Sequence, residues 1–387
     1  MAIYLDNNAG APLRPEAGAA IARFVAEANG NPSSVHRDGQ RARRMLERAR
    51  AQVASLCGAQ PKQIVFTSGG TESNNFAIFG AITATNNRRR VISSEIEHSS
   101  ILGSLKELER RGLEIVRIAP SSDGRLDPAR IVAALDRNTA LVTLGLANSE
   151  VGTIQDLTTL TRELRDAGAL FHIDAAQAVG RIPIDVDGLG CDLMTISGHK
   201  LGAPAGIGAL YVRDAARIAP LILGGPQENG LRAGTPNLLG AIAFGAAAEA
   251  VRAAMPTETA RIAALTATLY ARLGEAIPGL KLNGSASNRI ANTLNLTFPA
   301  VLGESMLIAL DLEGVEVSMG SACAAGAVEP SHVLLAMGRS VADARSSLRI
   351  SLGWNNTADE IDQVAQVIPR VWRRVADAEP AQQAQVG

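Results

Sequence analysis

Cysteine is scarce in this chain: three among 387 residues, Cys57, Cys191 and Cys323, well separated. That excludes a disulfide framework and leaves no cysteine pair at metal-ligand spacing. A reducing, cytoplasmic compartment is the simplest expectation. An excess of one charge is missing too. Lys and Arg number 37 against 38 Asp and Glu, for a formal net charge of -1. This gives no electrostatic case for nucleic acid or for an anionic membrane. No apolar run approaches the ~20 residues of a membrane span. The start, Met1-Ala2-Ile3-Tyr4-Leu5-Asp6, lacks the basic and then apolar order of a secretory signal. What is present is 47% hydrophobic and 19% charged sequence. That composition is globular, with a large core spread over a larger and a smaller domain.

Apolar runs and helical patterns alternate through the first two thirds. Strands are expected at 64–67, 90–93, 114–118, 140–144, 169–173, 192–196 and 208–212. Helices are expected over 16–28, 36–57 (capped by Ser33-Ser34), from 74, near 100–112, 127–136, 157–167 and 175–178, and over 238–254. The arginines of 36–57 read as a solvated face. Such alternation predicts a largely parallel sheet with helices on both faces. Met255-Pro256 marks the expected boundary. An α+β unit follows: helices 257–276, 303–312, 331–337 and 358–375, and strands near 280–282, 292–297, 315–318 and 347–351.

Chemistry concentrates where strands end, the usual ligand side of an open α/β sheet. Ser197-Gly198-His199-Lys200 follows the run 192–196. A lysine there can form a Schiff base with an aldehyde, of which pyridoxal phosphate (PLP) is the common one; the bland reading is a loop lysine. Asp174 closes the strand 169–173 and can protonate a pyridine nitrogen or cap a helix, with Gln177 one turn on. Thr67-Ser68-Gly69-Gly70-Thr71-Glu72-Ser73 joins a strand to a helix. It is either a tight turn or an anion cup. His98 follows another strand, as a cap or a ring-facing acid/base. Asn148 lies past the strand 140–144. Arg349, in an alternating strand, suits a substrate carboxylate or a cross-strand ion pair. Cys323 sits in a loop of small residues, where an exposed nucleophile fits better than a core thiol.

Several of these pieces stand in a familiar order. They include Asn31-Pro32-Ser33-Ser34-Val35-His36, the 67–73 loop, Glu97-His98, Asp174-Ala175-Ala176-Gln177 and Ser197-Gly198-His199-Lys200. Arg232-Ala233-Gly234-Thr235-Pro236-Asn237, Gly320-Ser321-Ala322-Cys323 and Glu329-Pro330-Ser331-His332 complete them. The chain resembles the cysteine desulfurases of the NifS/IscS type, fold-type I PLP enzymes of the class V aminotransferase superfamily. Gly10-Ala11 stands where that family usually carries two threonines, and Ser149 where asparagine is common.

The resemblance implies an α/β fold of the PLP-dependent transferase type. Its large domain, 13–255, would hold a mostly parallel seven-stranded sheet. A smaller α+β domain would comprise 1–12 and 256–377, with 378–387 an unstructured tail. It further implies that Lys200 holds PLP covalently, Asp174 pairs with the pyridine nitrogen, Gln177 bonds the ring oxygen and His98 stacks on the ring. Gly70, Thr71, Ser197 and His199 would bind the phosphate, joined by Thr235 from a neighbouring subunit of a homodimer. Asn148 and Arg349 would contact the substrate carboxylate, and Cys323 would accept sulfur from L-cysteine. An acceptor or iron-sulfur scaffold protein would take it onward. Two alternatives stand beside this. One is another class V enzyme, a selenocysteine lyase or aminotransferase, which needs no Cys323. The other is a non-catalytic protein that carries sulfur or docks a partner.

Overall fold

The computed structural model describes residues 2–27, 30–85, 87–320 and 329–378. Cys323, in the segment 321–328, and the tail from 379 lie outside the described residues.

The chain opens with β1 (Ile3–Tyr4), α1 (Pro15–Glu27) and α2 (Arg37–Ser55). Strand and helix then alternate: β2 (Ile64–Thr67), α3 (Gly70–Ala84), β3 (Arg90–Ser94), α4 (Ser99–Arg110), β4 (Glu114–Ile118), α5 (Pro128–Ala134) and β5 (Thr139–Gly145). Next come α6 (Thr161–Ala167), β6 (Leu170–Asp174), α7 (Val186–Leu189), β7 (Leu193–Ser197) and β8 (Gly208–Val212). After α8 (Leu238–Ala276) follow β9 (Lys281–Asn283), β10 (Thr293–Thr297), α9 (Gly303–Leu312) and β11 (Val315–Glu316). The chain closes with α10 (His332–Ala336), α11 (Val341–Arg345), β12 (Ser347–Ser351) and α12 (Ala358–Ala378).

The central sheet has seven strands in the order β2-β8-β7-β6-β5-β3-β4. Only β8 runs against its neighbours. The carboxyl ends of the other six therefore face one edge. β6 and β7 are buried along their whole length, as apolar runs covered on both faces must be. A second core gathers Ile3 and Leu5 with residues from Ile262 to Val375 around the antiparallel sheet β12-β10-β9. Val333, Leu334, Met337 and Ala344 pack instead on the first core.

Five local expectations are corrected. Residues 238–276 form one helix through Pro256 rather than two. Proline removes one ladder bond, yet Leu238 to Val251 are held in the first core and Ile262 to Leu273 in the second. Burial at both ends outweighs the break. This helix is also long and apolar enough, by length and composition, to cross a membrane, contrary to the sequence expectation. Half of its apolar window is buried inside the protein.

The cap of α2 is His36, which accepts from the Gly39 N–H, and not Ser33 or Ser34. The arginine face of α2 is not wholly solvated. Arg50 is buried and donates to both carboxylate oxygens of Glu228 and to the Ile64 carbonyl. Residues 175–178 form a turn, not a helix. The nearby helix is the short α7, capped by Asp185.

Candidate active site

The edge of parallel strand ends carries the polar residues singled out above. Asp174 ends β6 and is paired in register with Gly145 of β5 and Thr195 of β7. Its Oδ1 accepts from the Ala176 N–H and its Oδ2 from Asn74 Nδ2 at 2.8 Å. Asn74 is buried on the first turns of α3, and sequence reasoning missed it as a site residue. The available signal was an amide in the first turns of a helix that starts just past a strand end.

α3 begins at Gly70, four residues earlier than expected, so Gly70 and Thr71 lie in its first turn. Their neighbourhood offers unpaired backbone N–H groups and the positive end of a helix. Ser197 borders it: a Cβ on Gly70 would lie 3.5 Å from Ser197 Cβ and 3.7 Å from its Oγ. Ser197 Oγ shares a 3.1 Å hydrogen bond with His199 Nδ1. Gly208 must lack a side chain, because a Cβ there would come within 2.7 Å of Gly69. Thr235 is exposed at the loop before α8.

Lys200 follows directly. Its Nζ donates to the carbonyls of Asn8 and, at 2.7 Å, Ala9. Burial pushes the amine down to about 7, helped by the Arg181 and Arg349 charges. Arg181 is itself enclosed and pushed down to about 9 by burial and by Arg349; it donates to the carbonyls of Gln177 and Asn7. Gln177 Nε2 donates to the Asn8 carbonyl, and its Oε1 accepts from Arg181. The N-terminal strap Asn7-Asn8-Ala9 thus lies against Lys200, Gln177 and Arg181.

His98 caps α4. Its Nδ1 accepts from the Ser100 N–H and pairs with Ser100 Oγ at 2.8 Å. The imidazole is open to the cleft, yet enclosure by protein lowers its pKa; Asp174 and Glu150 oppose that shift, while Lys200 and His332 reinforce it. Glu97 beside it is fully buried, and burial raises its carboxyl to about 8. Ser94 Oγ and the Gly145 N–H hold Glu97's two oxygens.

Asn148 organises its own loop and ties it to Ile96. Its Oδ1 accepts from the Glu150 and Val151 N–H groups, and its Nδ2 donates to the Ile96 carbonyl. Arg349 is buried and paired with Asp6 at 2.6 Å, with a further bond to the Ser149 carbonyl. Arg349 thus makes an ion pair, with a partner from the N-terminal segment and not from a neighbouring strand. Its Nε has no partner. Glu150 accepts from Ser331 Oγ, and His332 Nε2 meets the Glu97 carbonyl. A small pocket of about 50 Å³ lies beside Lys200, lined also by Arg181, Asn7, Arg14 and Trp354.

The donor set fits PLP. The cradle at Gly70 and Ser197 suits a phosphate, the carboxylate of Asp174 suits a pyridinium, and the amine of Lys200 suits an aldehyde. Among the described residues no group of three or more His, Cys, Asp or Glu is placed to hold a metal ion.

Comparison with known proteins agrees. The family model described as aminotransferase class-V matches residues 3–364. The chain is 42% identical over 378 residues to "Cysteine desulfurase 2" of Trichormus variabilis, covering 98% of this chain and 95% of the relative. It is 41% identical over 382 residues to "Cysteine desulfurase IscS" of Dictyoglomus turgidum, covering 98% and 97%. A solved "NIFS-LIKE PROTEIN" superposes with a TM-score of 0.90 at 32% identity, over 97% of this chain and all of that one. A second structure, titled "SspA in complex with cysteine", gives 0.80 at 33% identity, over 90% and 98%.

The chain belongs to the class-V aminotransferase family. Within it, the chain falls with the PLP-dependent cysteine desulfurases of the NifS/IscS type, and the expected fold class, cofactor and enzyme class hold.

Proposed function

We propose that the protein converts L-cysteine to L-alanine and leaves the sulfur on Cys323 as a persulfide. A protein acceptor then takes that sulfur for iron-sulfur cluster or other thio-cofactor assembly. The observation that carries this reading is Lys200 at the end of β7, its amine pushed down to about 7, in the same crevice as Asp174.

PLP supplies the electron sink when bound. The chain's own residues do the rest. Gly70, Thr71, Ser197 and His199 hold the phosphate, with Thr235 reaching over from a second subunit. Asp174, oriented by Asn74, faces the pyridine nitrogen. Gln177 serves the ring oxygen and His98 covers the ring. Lys200 has a lone pair available near neutral pH and moves the α-proton. Arg349 and Asn148 orient the substrate carboxylate. The thiolate of Cys323 attacks the substrate sulfur: an S–S bond forms, the Cβ–S bond breaks, and its electron pair stays with the carbon. One proton then completes the methyl group of alanine.

A homodimer is part of this reading, and the exposure of Thr235 supports it. So is a cytoplasmic location, which the free thiols of Cys57 and Cys191 suit. The deciding experiment follows alanine and sulfide together from L-cysteine and a reductant. Equal yields from the native enzyme, lost in both Lys200→Ala and Cys323→Ser, support the proposal. Products that persist without Cys323 overturn its role.

A further inference from the structure

Asp174 and His98 are joined through Asn74, which orients the carboxylate, and Ser100, to which the mechanism above gives no role. Asn74 Nδ2 lies 2.8 Å from Asp174 Oδ2 and 2.8 Å from Ser100 Oγ. Ser100 Oγ in turn lies 2.8 Å from His98 Nδ1. The direction of each bond follows from what each group can do. Ionised, the carboxylate can only accept, so the Asn74 amide must turn its NH2 toward it. One N–H of that NH2 then goes to Asp174 and the other to Ser100 Oγ. The Asn74 Oδ1 is left buried without a partner, a cost that the two donated bonds offset. Having accepted from Asn74, the Ser100 hydroxyl has its own proton to give. The acceptor in reach is His98 Nδ1, which the Ser100 backbone N–H also addresses, at 3.2 Å. A backbone N–H cannot accept, so two donors converge on Nδ1.

We infer that Asn74 and Ser100 are positioning residues that fix His98 as its Nε2–H tautomer, so that this imidazole presents a donor, not a base, to the reacting groups. The relay ties that choice to the carboxylate of Asp174, two hydrogen bonds beyond Ser100. The charged and titratable groups facing His98 are Asp174, Lys200, His199, His332 and Glu150, and enclosure by protein favours its neutral form. A proton on Nδ1 would meet the Ser100 N–H head-on. The inference rests on His98 lying over the cofactor, and its test reads the imidazole itself.

The test uses the full-length, PLP-loaded enzyme labelled with ¹⁵N-histidine. The chain has five histidines, so the His98 signal is assigned by its loss in His98→Gln. At neutral pH, the native enzyme should show a protonated Nε2 and an acceptor Nδ1 shifted by hydrogen bonding. Ser100→Ala should move the Nδ1 resonance toward that of a free pyridine-type nitrogen, and Ser100→Thr should restore it. The Ser100→Ala enzyme should also lose kcat several-fold at unchanged KM, with its cofactor still bound. An Nδ1–H tautomer in the native enzyme overturns the inference. So does an Nδ1 resonance that Ser100→Ala leaves in place. Either result stands apart from the desulfurase reading, which is scored by alanine and sulfide.

Discussion

The active site has two sides of different construction. One is made of strand ends. Gly70, Asp174, Ser197 and Lys200 each lie at or just past the end of a strand of the central sheet, and the sheet brings those ends to one edge. The other is made of distant pieces. The strap Asn7-Asn8-Ala9 is held by Gln177, Arg181 and Lys200, and by Ser351 and Thr293 near the other end of the chain. Arg349 joins Asp6 across 343 positions of sequence. The strand-end side follows from the sheet alone. The strap side exists only when the second core is in place, because Ile3 and Leu5 belong to that core. On the proposed roles, Lys200 and Asp174 act from the strand-end side, and Arg349 holds the substrate carboxylate from the assembled side.

The largest test of this division is Lys200→Ala. It removes the amine from the rigid side and should lower kcat by about a thousandfold or more while the fold survives. Circular dichroism and single-turnover kinetics check it. Arg349→Ala should act differently. Loss of charged hydrogen bonds to a carboxylate costs about 1.5–3 kcal/mol, roughly ten- to a hundredfold in kcat/KM. Most of that should appear in KM. Asp6→Asn should produce a weaker version of the same change, because it frees Arg349 from its partner. If Arg349→Ala lowered kcat alone, recognition and chemistry would not be divided between the two sides.

The two sides were also unequally legible. Each strand end reveals itself locally: an apolar run stops, and Asp174 follows it, or Ser197 with His199 and Lys200 close behind. The sheet's strands were readable for the same reason. The strap was not, because nothing near Asn7 indicates that its carbonyl meets Arg181. Asn148 and Arg349 were found as types, but their partners were not. The Arg349–Asp6 pair depends on β12 lying beside the N-terminal segment, where Asp6 bridges Ser351. Pro256 misled for a different reason. A local rule broke the helix there, and burial on both sides of the proline kept it whole.

Titration sharpens the comparison with smaller effects. In the cofactor-free protein the folded Lys200 titrates near 7, far below the ~10.4 of an unfolded lysine. Below pH 7 both states hold the proton, and the cost of burying it is fully present. Between about 7 and 10.4 the unfolded chain binds the extra proton, so native stability rises with pH. Lys200→Met should abolish that rise, read as the difference in denaturation midpoint between the two proteins across this range.

Glu97 gives a slope of opposite sign and similar size, and it tests the rigid side from within. Its folded carboxyl titrates near 8, raised by burial, against about 4.3 when unfolded. Between these values the native state holds a proton that the unfolded state has lost, so stability falls as pH rises. Above 8 both are ionised and the slope ends. Glu97→Gln keeps a neutral side chain of the same shape between Ser94 and Gly145 and should flatten the fall without disturbing either neighbour. Denaturation midpoints at pH 5 and pH 8 should therefore converge in the variant. A variant that keeps the native slope would show that Glu97 is ionised in the folded protein. The β5 end beside Asp174 would then carry a second negative charge, and the electrostatic basis for one dedicated carboxylate on the rigid side would fail.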